Sequence, residues 1–90
     1  MYRFSRSIYR EIAPRVVENG VDKATARRHV LDACESTMRR LAYDRRYFAR
    51  PARTLFTEVR THFPIGDQLY VHKVIDRHVA LALDHLFFLS

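Results

Sequence analysis

The sequence predicts an all-α fold, a small antiparallel bundle of about four helices with a long, largely buried C-terminal helix. Only two glycines and three prolines occur in 90 residues, which leaves little room for the turns of a β protein. Apolar side chains recur every three or four residues, and no long run alternates with a period of two. A hydrophobic fraction of 48% is enough for one core, so we expect residues 1–90 to form a single domain.

The first helix is expected over residues 5–18, where Ile8 and Ile12 follow helical spacing. Pro14 conflicts with a continuous helix, because it lacks a backbone donor and clashes with the carbonyl four residues earlier. Either the helix kinks there, or it ends near the proline and a second one opens. Gly20 is the expected stop, since glycine readily takes the left-handed conformation that closes a helix.

Asp22 is the expected N-cap of the second helix, which spans about residues 23–47. The side chains expected to face the core are Leu31, Cys34, Met38, Leu41 and Phe48, with Val30 at the margin. A buried cysteine is most simply a small hydrophobe, and a single cysteine forms no internal disulfide. The basic start of the chain leads into no apolar signal segment. Both features favour a reducing, cytoplasmic location.

Pro51 breaks the second helix and is well suited to open the third, which runs to about residue 62. Its expected inward side chains are Ala52, Leu55, Phe56, Val59 and Phe63. After a turn at residues 64–66, Asp67 is the expected N-cap of the last helix, residues 67–90. Its expected inward stripe is Val71, Val74, Ile75, Val79, Ala82 and Leu86.

The last helix is also apolar on its other sides. Asp84 and His85 break its most apolar run, which is far shorter than the ~18 residues of a membrane span. A helix that is apolar nearly all round needs more cover than a chain of this length supplies, so we expect a protein partner or a homodimer. The residues expected at that interface are Val79, Leu83, Leu86, Phe87 and Phe88.

The charge of the chain is +6 and its sequence pI is about 10.1. Residues 1–63 carry 14 Lys and Arg against 7 Asp and Glu, whereas residues 64–90 carry 2 against 3. This asymmetry favours a polyanionic partner, nucleic acid before a membrane surface. The alternative is that the arginines form a solvated face with intramolecular salt bridges, or that their number only follows coding bias.

Residues 39–53 contain six arginines and one aspartate. If the second helix continues through them, four of these residues share its outer side at i, i+4, i+7 and i+11: Arg39, Tyr43, Arg46 and Arg50. Guanidinium groups bind phosphate, and tyrosine can stack on bases. The predicted nucleic-acid-binding residues are Arg28, Arg39, Arg40, Tyr43, Arg46, Tyr47, Arg50 and Arg53. Arg27 and Arg45 fall on the inward side and are left out.

The expected binding is led by phosphates, with DNA as the first candidate and weak sequence specificity. A helix-turn-helix reader is disfavoured, because the third helix exposes a mixed set of side chains that does not suit base edges. The second hypothesis is a protein-interaction module, an accessory or regulatory subunit that docks through its apolar C-terminal helix.

Five histidines include no pair at i, i+4, the spacing that lets one helix chelate a metal ion, so no metal site is predicted. His78 is instead a candidate for a hydrogen bond inside the bundle. The sequence has no glycine-rich phosphate loop, nucleophile motif or paired carboxylates. We therefore expect neither enzyme activity nor a cofactor.

Overall fold

The computed structural model describes the backbone of residues 2–44 and 46–89 and the side chains of residues 4–44 and 46–85. Its helices are α1 (Tyr2–Ile12), α2 (Lys23–Asp44), α3 (Pro51–Val59) and α4 (Ile65–Leu89). One 3₁₀ turn follows α1 and another follows α3, at Ala13–Arg15 and Arg60–His62. The described residues contain no strand, and the predicted all-α fold class is confirmed.

Each helix of the bundle packs mainly against two others. α1 contacts α2 and α4, and α3 contacts the same two helices. The carboxylate of Glu11 binds Arg77, and the ring of Phe4 lies beside that of His85, so α1 and α4 run in opposite directions. α4 therefore occupies one corner of the bundle, beside α1 and α3.

α4 contributes the predicted apolar stripe to the core. Its buried side chains are Val71, Val74, Ile75, Val79 and Ala82, while the sixth predicted residue, Leu86, lies outside the described side chains. Fully burying a valine or isoleucine contributes about 1.5–3 kcal/mol, which holds α4 against its neighbours. The other side of α4 faces solvent, with Leu81 50% and Leu83 37% exposed. Among the described residues, no helix is long and apolar enough to cross a membrane.

The inward face of α2 is rotated slightly from the prediction. Val30, expected at the margin, is fully buried, whereas Leu31 is only half-buried. The N-cap prediction is confirmed, because the carboxylate of Asp22 accepts from the backbone N–H of Thr25 at 2.7 Å and from its hydroxyl at 2.9 Å. These two hydrogen bonds hold the pKa of the Asp22 carboxyl below its usual range.

The end of α1 and the start of α4 refine the predicted boundaries. α1 ends at Ile12, and Pro14 lies in the 3₁₀ turn that follows, so the helix ends instead of kinking. α4 begins at Ile65, and Asp67 is a first-turn residue, so its predicted role as the N-cap is wrong. Its carboxylate instead accepts a hydrogen bond from the Arg15 guanidinium at 2.9 Å, which links the 3₁₀ turn after α1 to α4.

Candidate functional site

The predicted site lies at the corner where α2 ends and α3 begins. We call residues 39–53 the arginine segment. α2 ends at Asp44, whose carbonyl accepts from the backbone N–H groups of Tyr47 at 3.0 Å and Phe48 at 2.9 Å. Residues 46–50 are not helical, and Pro51 opens α3. The arginine segment is thus a helix end, a connection and a helix start.

This geometry corrects the predicted ridge. Arg39 and Tyr43 lie on α2, but Arg46 and Arg50 lie beyond its end, so helical spacing does not align the four side chains. The ring of Phe48 is only 7% exposed, as predicted, but it enters the core from the connection and not from α2. The four residues therefore follow one another around a corner instead of forming one line on a helix.

All eight predicted nucleic-acid-binding residues are exposed. Within the described part of the chain, five of their guanidinium groups have no ion pair or hydrogen bond: Arg28, Arg39, Arg46, Arg50 and Arg53. The chain does neutralise other arginines, because Arg15 binds Asp67 at 2.9 Å and Arg77 binds Glu11 at 2.6 Å. The segment therefore keeps its charge available to a ligand.

Arg40 is held more closely than the other arginines of the segment. Its guanidinium carbon lies 4.3 Å from the centroid of the Phe48 ring, a cation–π contact. Its Nε atom is 3.9 Å from the carboxylate of Asp44, an exposed pair that contributes at most about 1 kcal/mol. Arg40 thus packs on the buried Phe48 ring and also adds positive charge to the surface.

Arg28 stands apart from the corner. It faces the same side of α2 as Arg39, but 11 residues at 1.5 Å each separate the two by about 16 Å. Asp32 and Glu35 share that side of the helix between them. These carboxylates offset the charge of Arg28, so it is a peripheral member of the predicted set.

Two arginines, Arg27 and Arg45, were left out of the predicted binding set, and the structure describes one of them. Arg27 is half-buried, and its Nε atom is buried without a hydrogen-bond partner among the described residues. Its stem therefore lies along the core instead of pointing freely into solvent. Arg45 lies outside the described residues.

Two tyrosine rings accompany the unpaired arginines. Tyr43 is 88% exposed and Tyr47 is 81% exposed. Elsewhere an arginine covers a tyrosine, since the guanidinium of Arg15 lies 4.0 Å from the ring centroid of Tyr70. Neither segment tyrosine has a ring or cation–π contact with a described residue. Both rings are therefore free to stack on a planar ligand or to donate their hydroxyls.

A groove of about 750 Å³ adjoins the arginine segment, between the start of α3 and α4. Arg50, Arg53 and Arg60 give it a basic border, and Phe56 and Leu83 contribute apolar lining. The α4 wall also contains His72, Asp76, Val79 and Ala80. Sequence reasoning missed the groove, because its walls come together only when α3 packs on α4. The one feature of the sequence that pointed to this groove was the spacing of Arg53 and Arg60, which lie two helical turns apart and so share one side of the predicted third helix.

The predicted protein interface is accessible only in part. Val79 is 3% exposed and packs in the core, so it is corrected from an interface residue to a core residue. Leu83 is 37% exposed and borders the groove. The remaining predicted residues lie outside the described side chains: Leu86, Phe87 and Phe88. At the other end of α4, Ile65 and Leu69 are 88% and 65% exposed, and the prediction missed both.

A histidine pair that the sequence did not predict joins α2 to the turn after α3. His29 Nδ1 and His62 Nε2 lie 2.8 Å apart, and the rings meet edge to face. Burial, and then the nearby His29, hold the pKa of His62 below its usual value. His78 makes its expected hydrogen bond, to Glu11 at 2.9 Å. The described residues contain no group of three His, Cys, Asp or Glu side chains that could hold a metal ion.

Cys34 is fully buried on the inward face of α2, as predicted. Burial raises the pKa of its thiol to about 12, so the thiol stays protonated near neutral pH. A protonated, inaccessible thiol is a poor nucleophile and a poor metal ligand. Cys34 therefore acts as a small hydrophobe in the core.

Comparison of the chain with protein-family models, with curated proteins and with solved structures found no match.

Proposed function

We propose that this protein binds nucleic acid through the arginine segment, with DNA as the expected polymer, contacts led by phosphates, and weak sequence specificity. One observation carries the proposal: the exposed guanidinium groups of Arg39, Arg46, Arg50 and Arg53 have no acidic partner in the described part of the chain. They surround a corner that also presents two tyrosine rings to solvent.

The chemistry of these groups suits a phosphate backbone. A guanidinium group is always charged near neutral pH and offers a planar fork of N–H donors that matches two phosphate oxygens. The segment holds six arginines against one aspartate, so a polyanion that approaches it meets little repulsion. Contacts of this kind position a protein on nucleic acid but read no sequence, which is why we propose weak specificity.

Salt dependence and charge reversal test the proposal together. Fluorescence anisotropy with a labelled duplex should give an affinity that falls as salt rises, with a log–log slope of about −3.6 if these four arginines each neutralise one phosphate. The triple variant R39E/R46E/R50E should abolish binding. The matched control R6E/R10E/K73E makes the same charge change at exposed positions on α1 and α4, and it should still bind.

Two results would contradict this proposal. The first is that the native protein binds neither DNA nor RNA at low salt. The second is that the control R6E/R10E/K73E loses as much affinity as R39E/R46E/R50E, because the affinity would then depend only on the net charge of the protein.

The second candidate function is protein docking through α4, including docking to a second copy of the chain. The exposure of Leu69 and Leu83, which are two heptads apart and share one side of α4, favours it. Substituting both by serine should lower the mass measured by light scattering if the protein is a dimer. An unchanged mass and an unchanged set of co-purifying proteins would count against docking at this face.

A further inference from the structure

We infer that the arginine segment prefers single-stranded nucleic acid to duplex, with unpaired bases stacked on Tyr43 and Tyr47. This inference rests on the proposed function, because it concerns which nucleic acid the same surface selects. It adds a second kind of contact, to the faces of the bases, beyond the phosphate contacts already proposed.

The rings of Tyr43 and Tyr47 are both exposed. At 88% and 81% exposure, Tyr43 and Tyr47 present almost their whole surface to solvent. A ring in this state gains most from a planar partner, and every base has a planar face. In a duplex those faces are covered by neighbouring base pairs, so only a single strand offers them along its length. The aromatic component of this surface therefore acts only on unpaired bases.

Arginines and tyrosines alternate along the corner between α2 and α3. Arg46 lies between the two tyrosines in sequence, and Arg50 follows three residues after Tyr47, so cationic and aromatic side chains alternate around the corner. Alternation of arginines with stacking rings is the pattern that tracks a flexible strand, with phosphates and bases contacted in turn. Duplex DNA is stiff over about 150 base pairs, and it cannot follow a corner within one protein domain without an energetic cost.

The groove between α3 and α4 adjoins the arginine segment. Arg50 and Arg53 belong to both, so a strand bound by their guanidinium groups has its bases beside the apolar lining that Phe56 and Leu83 provide. An unpaired base is free to enter a groove of about 750 Å³, whereas a paired base is held in its stack. The groove thus favours the same ligand as the tyrosines.

The test compares labelled 15-nucleotide oligothymidylate with a 15-base-pair duplex by fluorescence anisotropy at one low salt concentration. We expect the single strand to bind the native protein about tenfold or more tightly than the duplex. Replacing one stacking ring should weaken single-strand binding by about five- to 150-fold. The variant Y43L/Y47L should therefore weaken single-strand binding much more than duplex binding, and the preference should disappear. The matched variant Y43F/Y47F keeps both rings without their hydroxyls, and it should retain the preference.

The outcomes separate this inference from the proposed function. Equal affinity for the two ligands, tighter duplex binding, or a single-strand preference that survives Y43L/Y47L would overturn the inference and leave the proposed function standing. Loss of the preference in Y43F/Y47F would also overturn it, because the hydroxyls and not the ring faces would then make the contact. Absence of binding to both ligands would overturn the proposed function itself. Both tyrosines are exposed, so circular dichroism should show that every variant folds.

Discussion

Arg53 occupies a position where its charge should cost stability, and reversing that charge gives the sharpest prediction. α3 begins at Pro51, its N-cap residue Arg50 makes no capping hydrogen bond through its side chain, and its first turn has no acidic residue. Arg53 is the third residue of the helix and is exposed. The N-terminus of a helix carries partial positive charge from unpaired N–H groups, so two arginines there are unfavourable.

The magnitude follows from this placement. One charge near an exposed helix end is worth about 0.3–1 kcal/mol at low ionic strength. The variant R53E removes an unfavourable charge and adds a favourable one, so the free energy of unfolding should rise by about 1 kcal/mol. For a domain of this size that corresponds to a rise of about 4–8 °C in Tm. The same variant should weaken nucleic-acid binding and reduce its salt slope by about one.

Urea denaturation followed by circular dichroism at low and high salt measures the effect. The control R60E makes the same charge change in the 3₁₀ turn beyond the other end of α3, where negative charge is unfavourable, so it should lower stability. Both effects should shrink in high salt because of screening. If R53E is less stable than the native chain at low salt, the electrostatic reasoning about this helix start is wrong.

Four further predictions follow from the core and the helix ends. Removing the buried anchor in Phe48→Ala should cost about 3 kcal/mol in urea unfolding, while Phe48→Leu should cost less than about 1.5 kcal/mol. Because the folded-state pKa of His62 lies below 6.5, the unfolded chain binds its proton more readily, and stability should fall as pH drops below about 6.5; His62→Gln should flatten that dependence. The Cys34 thiol, with a pKa of about 12, should react with Ellman's reagent only after unfolding. Loss of the N-cap in Asp22→Ala should lower Tm by a few degrees, and Asp22→Ser should restore most of it.

Local chemistry was sufficient to predict most of the fold. The Asp22 cap, the start of α3 at Pro51 and the buried stripe of α4 depend on side chains that lie within a few turns of one another. Capping, the missing proline donor and helical periodicity act over that range, so a sequence shows them directly. The cytoplasmic location and the absence of enzyme activity stay predictions, because neither follows from the fold.

What the sequence could not show depends on contacts between distant residues. The pairing of His29 with His62 spans 33 positions, and Asp67 binds Arg15 across 52 positions instead of capping its own helix. The early end of α2 was also missed: the Phe48 ring that a helical wheel places on α2 enters the core from the connection. Helical periodicity assumes that the helix continues, and tertiary packing decides where it ends.

The fold displays the arginine segment by burying two residues within it. Phe48 is 7% exposed and Pro51 is buried, and each lies next to exposed residues in the chain. Two fixed points three residues apart leave the connection little freedom, so Tyr47 on one side and Arg50 between the anchors are held outward. A preorganised cationic surface loses less entropy when it binds than a flexible arginine tail does. Under the proposed function, a phosphate bound at the start of α3 would offset the unfavourable charge of Arg50 and Arg53 there, because a helix N-terminus favours an anion.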